Sequence, residues 1–319
     1  MMHHDKTANA AKGKWRGILL SLGLPESCLK DKHGPCPLCG GTDRFRWDNK
    51  DGSGSYICGQ CGAGDGVKLA MEFTGRSFRD ICGEIDGLVG NIKFEAPRRA
   101  MTEGDARRLM REVYAQTVPV QAGDLVHRYL ASRKIEERIY PAALRFGAAL
   151  RDGEGGVRPC MVAMVGVYGD TDDRGRPRYA SMHRTFLRPD GAGKADMQSP
   201  RKMMPGELPE GACVMLSEWT HSGAIGIAEG IETAMSASAI FGLPVWAAIS
   251  SAGLAKWAPP PDADEVVIFA DNDKKFGGQA AAYALAHRLA VKRGGVSVQV
   301  PKMAGEDWAD VYMRQASEA

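Results

Sequence analysis

The last third of the chain alternates short apolar runs with longer segments of helical periodicity. Short, uninterrupted apolar runs are typical of strands buried in a parallel sheet. The predicted strands are residues 225–228, 245–249, 266–270 and 296–300, and the predicted helices are residues 231–241 and 277–293. The pattern therefore predicts a parallel sheet flanked by helices, with Gly294 and Gly295 as the glycine cap of the second helix.

The first two thirds of the chain have a less regular pattern. Basic and aromatic residues alternate from Arg44 to Trp47, which predicts a strand with two different faces. The turn-forming residues 49–54 predict a hairpin directly after it. The other predicted elements are a helix from about residue 14 to Gly23, a short helix at 67–74, a linker at 96–99, a helix at 103–131 and a β-rich segment at 157–190.

Acidic residues stand where two of the predicted strands end. Glu229 follows the run that ends at Ala228, and Asp271 and Asp273 follow the run that ends at Ala270. Active groups in such sheets lie beyond the carboxyl ends of the strands. Carboxylates that meet there repel one another unless divalent cations neutralise them, and their hard oxygen atoms suit Mg²⁺ or Mn²⁺. The pattern predicts metal-assisted phosphoryl chemistry.

Two Cys-x₂-Cys pairs near the start of the chain are separated by eighteen residues. Their four cysteines are Cys36, Cys39, Cys58 and Cys61. Two such pairs complete a tetrahedral site for Zn²⁺, and a site with four protein ligands has no open position, so we expect structural zinc. Two disulfides or redox pairs are the alternative, and Cys28 and His33 are alternative ligands.

The composition is that of an ordinary soluble globular protein, with 319 residues, 44% hydrophobic and 25% charged. This length allows two or three domains. Because the chain has no apolar stretch of membrane-span length and no signal-peptide core, we expect a cytoplasmic protein without membrane association. The net charge of only +2 means that any nucleic-acid contacts depend on local basic clusters.

These features together resemble the Toprim-type DNA primases of the phage and mobile-element kind. Residues 35–47 and 56–66 look like the zinc ribbon of phage primase-helicases, and residues 228–234 and 269–273 are similar to the two acidic Toprim motifs. The resemblance implies an α/β protein with an N-terminal zinc ribbon, an α+β segment and a C-terminal Toprim domain. The expected domains are a zinc-ribbon primase domain with flanking helices at 1–95, the N-terminal part of the catalytic core at 96–220 and the Toprim domain at 221–319.

The resemblance also implies an activity: synthesis of short RNA primers from nucleoside triphosphates on a single-stranded DNA template. Asp271 and Asp273 would hold catalytic Mg²⁺ or Mn²⁺ ions in a two-metal nucleotidyl transfer. Glu229 would either share a metal or act as general base for the attacking 3′-hydroxyl.

Further acidic residues near the motifs have two interpretations each. Many bacterial primases carry an aspartate four residues after the motif glutamate, where this chain has Thr233. Glu232 either replaces it as a metal ligand or complements the dipole of the following helix. Asp307 and Asp310 either form a third acidic patch or cap a helix.

Basic residues around the Toprim motifs are candidates to hold template or nucleotide phosphates, with a solvated loop face as the alternative. They are Arg184, Arg188, Lys194, Arg201 and Lys202 before the motifs and Lys274 and Lys275 after them. In the ribbon, Arg44, Arg46, Trp47 and Tyr56 are candidates to clasp or stack on single-stranded bases. Alternatively, Phe45 and Trp47 form the small core of the ribbon.

The sequence has no G-x₄-G-K-[ST] motif, so we expect any helicase partner to be a separate polypeptide. Two other functions remain open. One is a Toprim nuclease or topoisomerase, although strand passage needs a nucleophilic tyrosine in a separate domain. The other is a zinc-ribbon replication accessory protein that binds single-stranded DNA and has an inactive Toprim domain.

Overall fold

Two units, residues 1–101 and 102–319, make up the computed structural model of the protein. It describes residues 2–95, 102–206, 208–219 and 223–318, with side chains from residue 6 onward. The linker predicted at residues 96–99 lies outside these described residues. No helix in the part of the chain that the structure describes combines the length and apolar character of a membrane span.

The first unit consists of four helices around one small antiparallel sheet. The sheet has the strand order β1-β2-β3-β4. In chain order the elements are α1 (Met2–Ala11), α2 (Trp15–Ser21), β1 (Gly34–Cys36), β2 (Gly40–Trp47), β3 (Tyr56–Cys58), β4 (Gly62–Gly64), α3 (Gly66–Thr74) and α4 (Phe78–Val89). The hairpin predicted at residues 49–54 joins β2 to β3, where Trp47 pairs with Tyr56. Its turn places Asn49 and Asp51 in the left-handed region, at φ values of 44° and 54°.

Aromatic side chains form the core of the first unit. Trp15 from α2 packs with Phe45, Trp47 and Tyr56 of the sheet, and each of the four is at most 5% exposed. The indole of Trp47 is therefore part of the core, as the packing interpretation of this residue has it. The N-cap of helix α3 is Asp65, whose carboxylate accepts a hydrogen bond from the backbone N–H of Lys68 at 2.9 Å.

The second unit contains two sheets. The first is antiparallel in the order β5-β6-β7-β8-β9, and the second is parallel in the order β11-β10-β12-β13. The elements are α5 (Glu103–Ala115), β5 (Thr117–Pro119), α6 (Leu125–Ala131), β6 (Leu144–Arg151), β7 (Val157–Thr171), β8 (Pro177–Phe186), β9 (Arg201–Met203), β10 (Ala224–Ala228), α7 (Ile231–Phe241), β11 (Val245–Ala247), α8 (Ser251–Lys256), β12 (Glu265–Phe269), α9 (Gly277–Ala290), β13 (Val296–Gln299) and α10 (Trp308–Glu318). The ribbon, the mixed α/β content and the parallel sheet with its helices confirm the predicted fold class.

The single helix predicted at residues 103–131 is wrong. Helix α5 ends at Ala115, and the chain then enters β5, which pairs with β6. Helix α6 starts anew after Asp124, whose side chain accepts a hydrogen bond from the backbone N–H of His127 at 2.8 Å. Pro119 and Gly123 interrupt the helical periodicity, because proline lacks an N–H and Gly123 adopts a φ of 90°.

The glycine cap predicted at Gly294 and Gly295 for the helix at residues 277–293 is also wrong. Helix α9 ends at Ala290, several residues before Gly294, and its C-cap is Val291. Gly295 has a φ of 65°, and its carbonyl accepts a hydrogen bond from Val266 at 2.7 Å. This glycine therefore turns the chain into β13 and does not end the helix.

The register of the parallel sheet brings the ends of its strands to one edge. Ala228, the last residue of β10, is aligned with Ala247 of β11 and with Phe269 of β12. Residues that follow these positions therefore emerge side by side, as expected for the carboxyl edge of a parallel sheet.

Candidate active site and metal centres

Glu229, Asp271 and Asp273 lie at this carboxyl edge. Glu229 directly follows β10, and the two aspartates follow β12, its neighbour in the sheet. Their charges interact, because Asp273 acts on Glu229 and both act on Asp271. The structure thus brings together the three acidic residues that the sequence singled out, and we refer to Glu229, Asp271, Asp273 and the nearby Asp307 as the acidic edge.

Glu229 is half-buried, and its side chain is held by Ser251, the first residue of α8. Its Oε2 atom accepts a hydrogen bond from the Ser251 hydroxyl at 2.7 Å. Burial raises the pKa of Glu229, the hydrogen bond from Ser251 opposes this, and the charge of Asp273 raises the pKa further, so that the pKa lies above its usual value. No motif in the sequence marks Ser251, whose hydroxyl lies twenty-two residues after the glutamate.

Asp271 is the most strongly perturbed carboxylate of the acidic edge. Burial, together with the charges of Glu229, Asp307 and Asp273, raises the pKa of Asp271 to about 7. Its Oδ1 atom is buried and has no hydrogen-bond partner. A buried carboxylate oxygen without a donor, among other carboxylates, is stabilised by a hard divalent cation, so this donor set fits Mg²⁺ or Mn²⁺.

Asp273 and Asn272 fix the loop that carries Asp271. The Oδ2 atom of Asp273 accepts a hydrogen bond from the backbone N–H of Gly278 at 2.8 Å. Asn272 donates to the carbonyl of Pro301 at 2.8 Å and accepts from the amide of Gln279 at 2.8 Å. A Cβ atom on Gly278 would lie 2.9 Å from the carbonyl oxygen of Asp271, so only glycine lets α9 approach this closely.

Asp307 and Asp310 form a reciprocal cap at the start of α10. The N–H of Asp310 donates to Asp307 Oδ1 at 2.9 Å, and the N–H of Asp307 donates to Asp310 Oδ2 at 3.1 Å. Both aspartates therefore have the capping role. The charge of Asp307 also acts on Asp271, and burial raises the pKa of Asp307. Asp307 thus belongs both to the cap and to the acidic edge.

Glu232 is engaged by two protein groups, both at its Oε1 atom. It accepts a hydrogen bond from the hydroxyl of Tyr129, and it forms an ion pair with Lys194 at 3.2 Å. Burial alone would raise the pKa of Glu232, but the ammonium of Lys194 and the hydroxyl of Tyr129 outweigh burial and lower the pKa to about 2. Arg133 faces both Glu232 and Asp307. Neither Tyr129 nor Arg133 lies in a motif that carries the family resemblance, so the sequence did not reveal them.

The predicted basic group is divided between the two faces of the antiparallel sheet. Arg201 pairs with Thr185, and Lys202 pairs with Arg184, so successive residues of β9 point to opposite faces. Arg201 is exposed, and its charge acts on Glu229 and Asp271. Lys202 instead donates to the carbonyl of Asp152 at 2.7 Å. Arg201 is therefore the member of the group whose charge faces the acidic edge.

The remaining basic candidates have varied surroundings. Arg184 donates to the carbonyl of Arg151 at 3.3 Å, and Arg188 pairs with Asp190 at 3.2 Å. Lys274 and Lys275 are exposed in the loop that follows Asp273. Their position keeps them as candidates for phosphate binding near the acidic edge.

His183 of β8 is a buried neutral histidine beside these charges. It is 7% exposed, and its Nδ1 atom has no hydrogen-bond partner. Burial lowers the pKa of His183 to about 4; Glu232 opposes this shift, while the cations Arg201, Lys194 and Arg184 add to it.

We expect His183 to make stability fall as the pH falls from about 6.5 to about 4, because only the unfolded state takes up the proton in this range. Between pH 7 and pH 5 the loss is about 2 kcal/mol, at ~1.4 kcal/mol per pH unit. Urea unfolding followed by circular dichroism measures this loss in the wild type and in His183→Gln. The variant should lack this part of the pH dependence, and equal slopes for both proteins would contradict the account.

The four cysteines of the ribbon form a metal centre. Sγ atoms of Cys36 and Cys61 lie 3.9 Å apart, and those of Cys39 and Cys58 lie 3.7 Å apart. A tetrahedral site with Zn–S bonds of about 2.3 Å requires sulfur separations of about 3.8 Å. Among the described residues, this is the only set of three or more cysteine, histidine or acidic side chains whose ligand atoms all lie within 4.8 Å of one another.

The distances between ligand atoms distinguish the cysteine cluster of the ribbon from the acidic edge. The thiol sulfurs already stand at the spacing of a structural zinc site. No three carboxylates of the acidic edge have oxygen atoms that all lie within 4.8 Å of one another. That edge is therefore not a preformed three-ligand metal site. Cys28 makes a contact of 3.9 Å with the carbonyl of Pro35 and does not join the cluster.

The basic residues of the ribbon lie on its outer face. Arg44 donates to the side chain of Gln60, and Arg46 forms an ion pair with Asp31 at 2.6 Å. Arg46 is the cross-strand partner of Ile57, which is 51% exposed. Tyr56 is buried and donates to Glu72 at 2.8 Å. Neither Tyr56 nor Trp47 thus offers an exposed ring, and Arg44 and Arg46 remain the candidates for contact with DNA.

Comparison with known families divides the chain into three matched segments. Residues 31–67 match the zinc-binding domain of primase-helicase, and residues 224–318 match the Toprim domain. Residues 104–215 match a domain of unknown function (DUF7146). The chain therefore joins a primase-type zinc ribbon to a Toprim domain, and none of the three families is that of a helicase.

Matches among solved structures include two primases. The primase fragment of the bacteriophage T7 primase-helicase protein is 13% identical, with 90% of this chain and 96% of that chain covered and a TM-score of 0.41. The zinc-binding and RNA polymerase domains of the Aquifex aeolicus primase are 15% identical, with 98% and 84% covered and a TM-score of 0.37.

Proposed function

We propose that the chain is a DNA primase that synthesises short RNA primers from nucleoside triphosphates on single-stranded DNA. The observation that carries the proposal is the acidic edge of the Toprim domain, with its unpartnered Asp271 Oδ1, in the same chain as a primase-type zinc ribbon. A structural zinc site has no open position for chemistry, so the reaction belongs to the acidic edge.

In this proposal the carboxylates of Asp271 and Asp273 hold Mg²⁺ or Mn²⁺ in a two-metal nucleotidyl transfer. Such ions neutralise the triphosphate and lower the pKa of the attacking 3′-hydroxyl when bound. Glu229 either shares a metal or accepts the proton of that hydroxyl. The hydrogen bond that Asp273 accepts and the one that Asn272 donates hold the loop between β12 and α9 still, so Asp271 keeps its place without reorganisation.

The basic side chains have two roles, binding phosphates near the acidic edge and binding the template. Arg201 and the lysines Lys274 and Lys275 bind phosphates of the nucleotide or template near the acidic edge. Arg44 and Arg46 of the ribbon bind the template, and Arg184, Arg188, Lys194 and Lys202 add to the positive surface of the core. A replicative helicase would be a separate polypeptide.

One incubation separates the proposal from its alternatives. The purified, zinc-loaded protein is mixed with end-labelled single-stranded DNA, α-labelled nucleoside triphosphates and Mg²⁺ or Mn²⁺. We expect labelled oligoribonucleotides and intact DNA. Shortened DNA would instead identify a Toprim nuclease, and binding without synthesis or cleavage would identify an accessory protein with an inactive Toprim domain.

Arg201→Ala should have opposite effects on nucleotide and metal. Loss of a charge-assisted contact to phosphate should raise the KM for nucleoside triphosphates by about ten- to a hundredfold. Loss of a cation that faces Glu229 and Asp271 should tighten Mn²⁺ binding in the absence of nucleotide. Steady-state kinetics and Mn²⁺ titration measure the two effects.

Arg178→Ala is the matched control for this prediction. Arg178 is exposed in β8 and lies 3.9 Å from Asp173, near the end of the β7–β8 hairpin. Its loss should leave both constants unchanged. An unchanged KM for Arg201→Ala, or equal changes in both variants, would show that Arg201 does not act at the acidic edge.

A further inference from the structure

The loop after β11 and the first residue of α8 contact both the backbone and the side chain of Glu229. The N–H of Ile249 donates to the carbonyl of Glu229 at 2.8 Å. The hydroxyl of Ser251 donates to the carboxylate of the same residue at 2.7 Å, and the backbone of Ser251 also faces that carboxylate. Ile249 of the loop and Ser251 at the start of α8 thus fix the backbone and the side chain of Glu229.

The backbone of this loop adopts a strained conformation. Ile249 has a φ of 70°, in the left-handed region that β-branched residues rarely adopt. Such a conformation costs about 1–3 kcal/mol and persists only where the surroundings enforce it. In enzymes it often serves to hold a functional group in place, and here the strained residue makes its backbone contact with Glu229.

The helix that follows restricts the position of Ser251. Ser250 caps α8, since its hydroxyl accepts a hydrogen bond from the N–H of Gly253 at 3.0 Å. A Cβ atom on Gly253 would lie only 2.3 Å from the carbonyl oxygen of Ala248, so the turn is as tight as glycine permits. Ser251, the first residue of α8, therefore cannot shift without disturbing the turn and the cap.

We propose that Ser251 is a positioning residue for Glu229, with the strained Ile249 turn as its support. The hydroxyl orients a half-buried carboxylate that faces Asp273, whose repulsion would otherwise turn it away. The inference rests on the proposed function of the acidic edge. It assigns Ser251 no contact with substrate, because the hydroxyl acts through Glu229.

Three variants test this role in the zinc-loaded chain of 319 residues. Ser251→Ala removes the donor, Ser251→Thr keeps it, and Ser238→Ala is the matched control. Ser238 is also half-buried in the Toprim domain, and its hydroxyl makes one hydrogen bond of 2.7 Å to the carbonyl of Leu243. Primer synthesis gives kcat and KM, and titration with Mn²⁺ alone gives a readout that does not depend on synthesis.

We expect Ser251→Ala to lower kcat by about ten- to a hundredfold with little change in the KM for nucleotides, because a misplaced catalytic group costs turnover more than binding. Mn²⁺ affinity should fall severalfold. Ser251→Thr should recover most of both losses, and Ser238→Ala should match the wild type.

Two results would overturn the inference: Ser251→Ala with the kcat and Mn²⁺ affinity of the wild type, or Ser251→Thr as impaired as Ser251→Ala. Failure of the proposed function has a different signature. A wild type that binds Mn²⁺ but makes no oligoribonucleotides refutes the primase, while the Mn²⁺ affinities of the variants still decide whether Ser251 orders Glu229. A wild type that binds no Mn²⁺ refutes both.

Discussion

Asp271→Asn is expected to lower primer synthesis by roughly a thousandfold or more, since metal and proton-transfer steps each contribute large factors to such reactions. The substitution keeps the shape of the side chain and removes the charge that would hold a metal. In the same protein, the stability without Mg²⁺ should rise by about 1 kcal/mol or more. Burial and three neighbouring carboxylates disfavour the ionised Asp271 in the folded state, and asparagine carries no charge to repel.

A gain in stability with a loss of activity distinguishes a functional carboxylate from a structural one. Urea unfolding in Mg²⁺-free buffer at pH 8 measures the first effect, and oligoribonucleotide synthesis measures the second. Asp172→Asn is the control, because Asp172 pairs with Arg176 at the β7–β8 hairpin, away from the parallel sheet. Asp271→Asn protein with activity within tenfold of the wild type, or with reduced stability, would contradict the assignment.

Cys58→Ser is expected to unfold the ribbon and leave the second unit folded. Zinc binding to a four-cysteine site supplies most of the folding free energy of a small ribbon, about 10–16 kcal/mol in isolated zinc fingers at pH 7. Loss of one thiolate ligand should therefore remove the metal from the protein and abolish primer initiation. Metal analysis gives the zinc content, and hydrogen exchange shows which unit has lost its protection.

Cys28→Ser is the matched control for the ribbon. Cys28 lies near the cluster in sequence and is half-buried, but its sulfur is not among the four that stand at ligand spacing. This variant should keep one zinc per chain and full protection of β1 to β4. Stoichiometric zinc in Cys58→Ser, or its loss in Cys28→Ser, would show that the ligand set is wrong.

The sequence was a good guide where chemistry and local pattern coincide. The doubled Cys-x₂-Cys spacing is typical of zinc sites, and the structure places the four sulfur atoms together as this spacing predicts. The apolar runs before Glu229 and Asp271 are short and uninterrupted, and they do form neighbouring parallel strands. Both predictions rest on short segments whose residue types identify the zinc ligands or the buried strands directly.

The sequence was a poor guide where a long-range contact decides the outcome. Residues 103–131 have enough helical periodicity to suggest one helix, but the pairing of β5 with β6 overrides it. The sequence gives Glu232 two interpretations, a metal ligand or a residue that complements the helix dipole, and neither identifies the groups that contact it. Its partners, Tyr129 and Lys194, come from distant segments, and the hydroxyl of Tyr129 is 103 residues away in the chain.

The basic residues illustrate a third limit. In the sequence, one basic group contains Arg184, Arg201 and Lys202. In the antiparallel sheet, however, Arg201 lies on one face, and Arg184 and Lys202 lie on the opposite face, because side chains alternate along a strand. Their roles could be separated only once the register of β8 and β9 was known. The boundaries expected at 95/96 and 220/221 stay predictions.

De novo initiation is the most direct test of the central claim, that the acidic edge and the zinc ribbon make this chain a primase. Zinc-loaded protein is incubated with long single-stranded DNA of mixed sequence, Mg²⁺ and nucleoside triphosphates labelled on the γ-phosphate, without any primer. Only the first nucleotide of a new chain keeps that label, since each later addition releases the γ-phosphate with pyrophosphate. We predict short, labelled, ribonuclease-sensitive products that disappear with Asp271→Asn, whereas their absence from the wild type with both Mg²⁺ and Mn²⁺ would contradict the account.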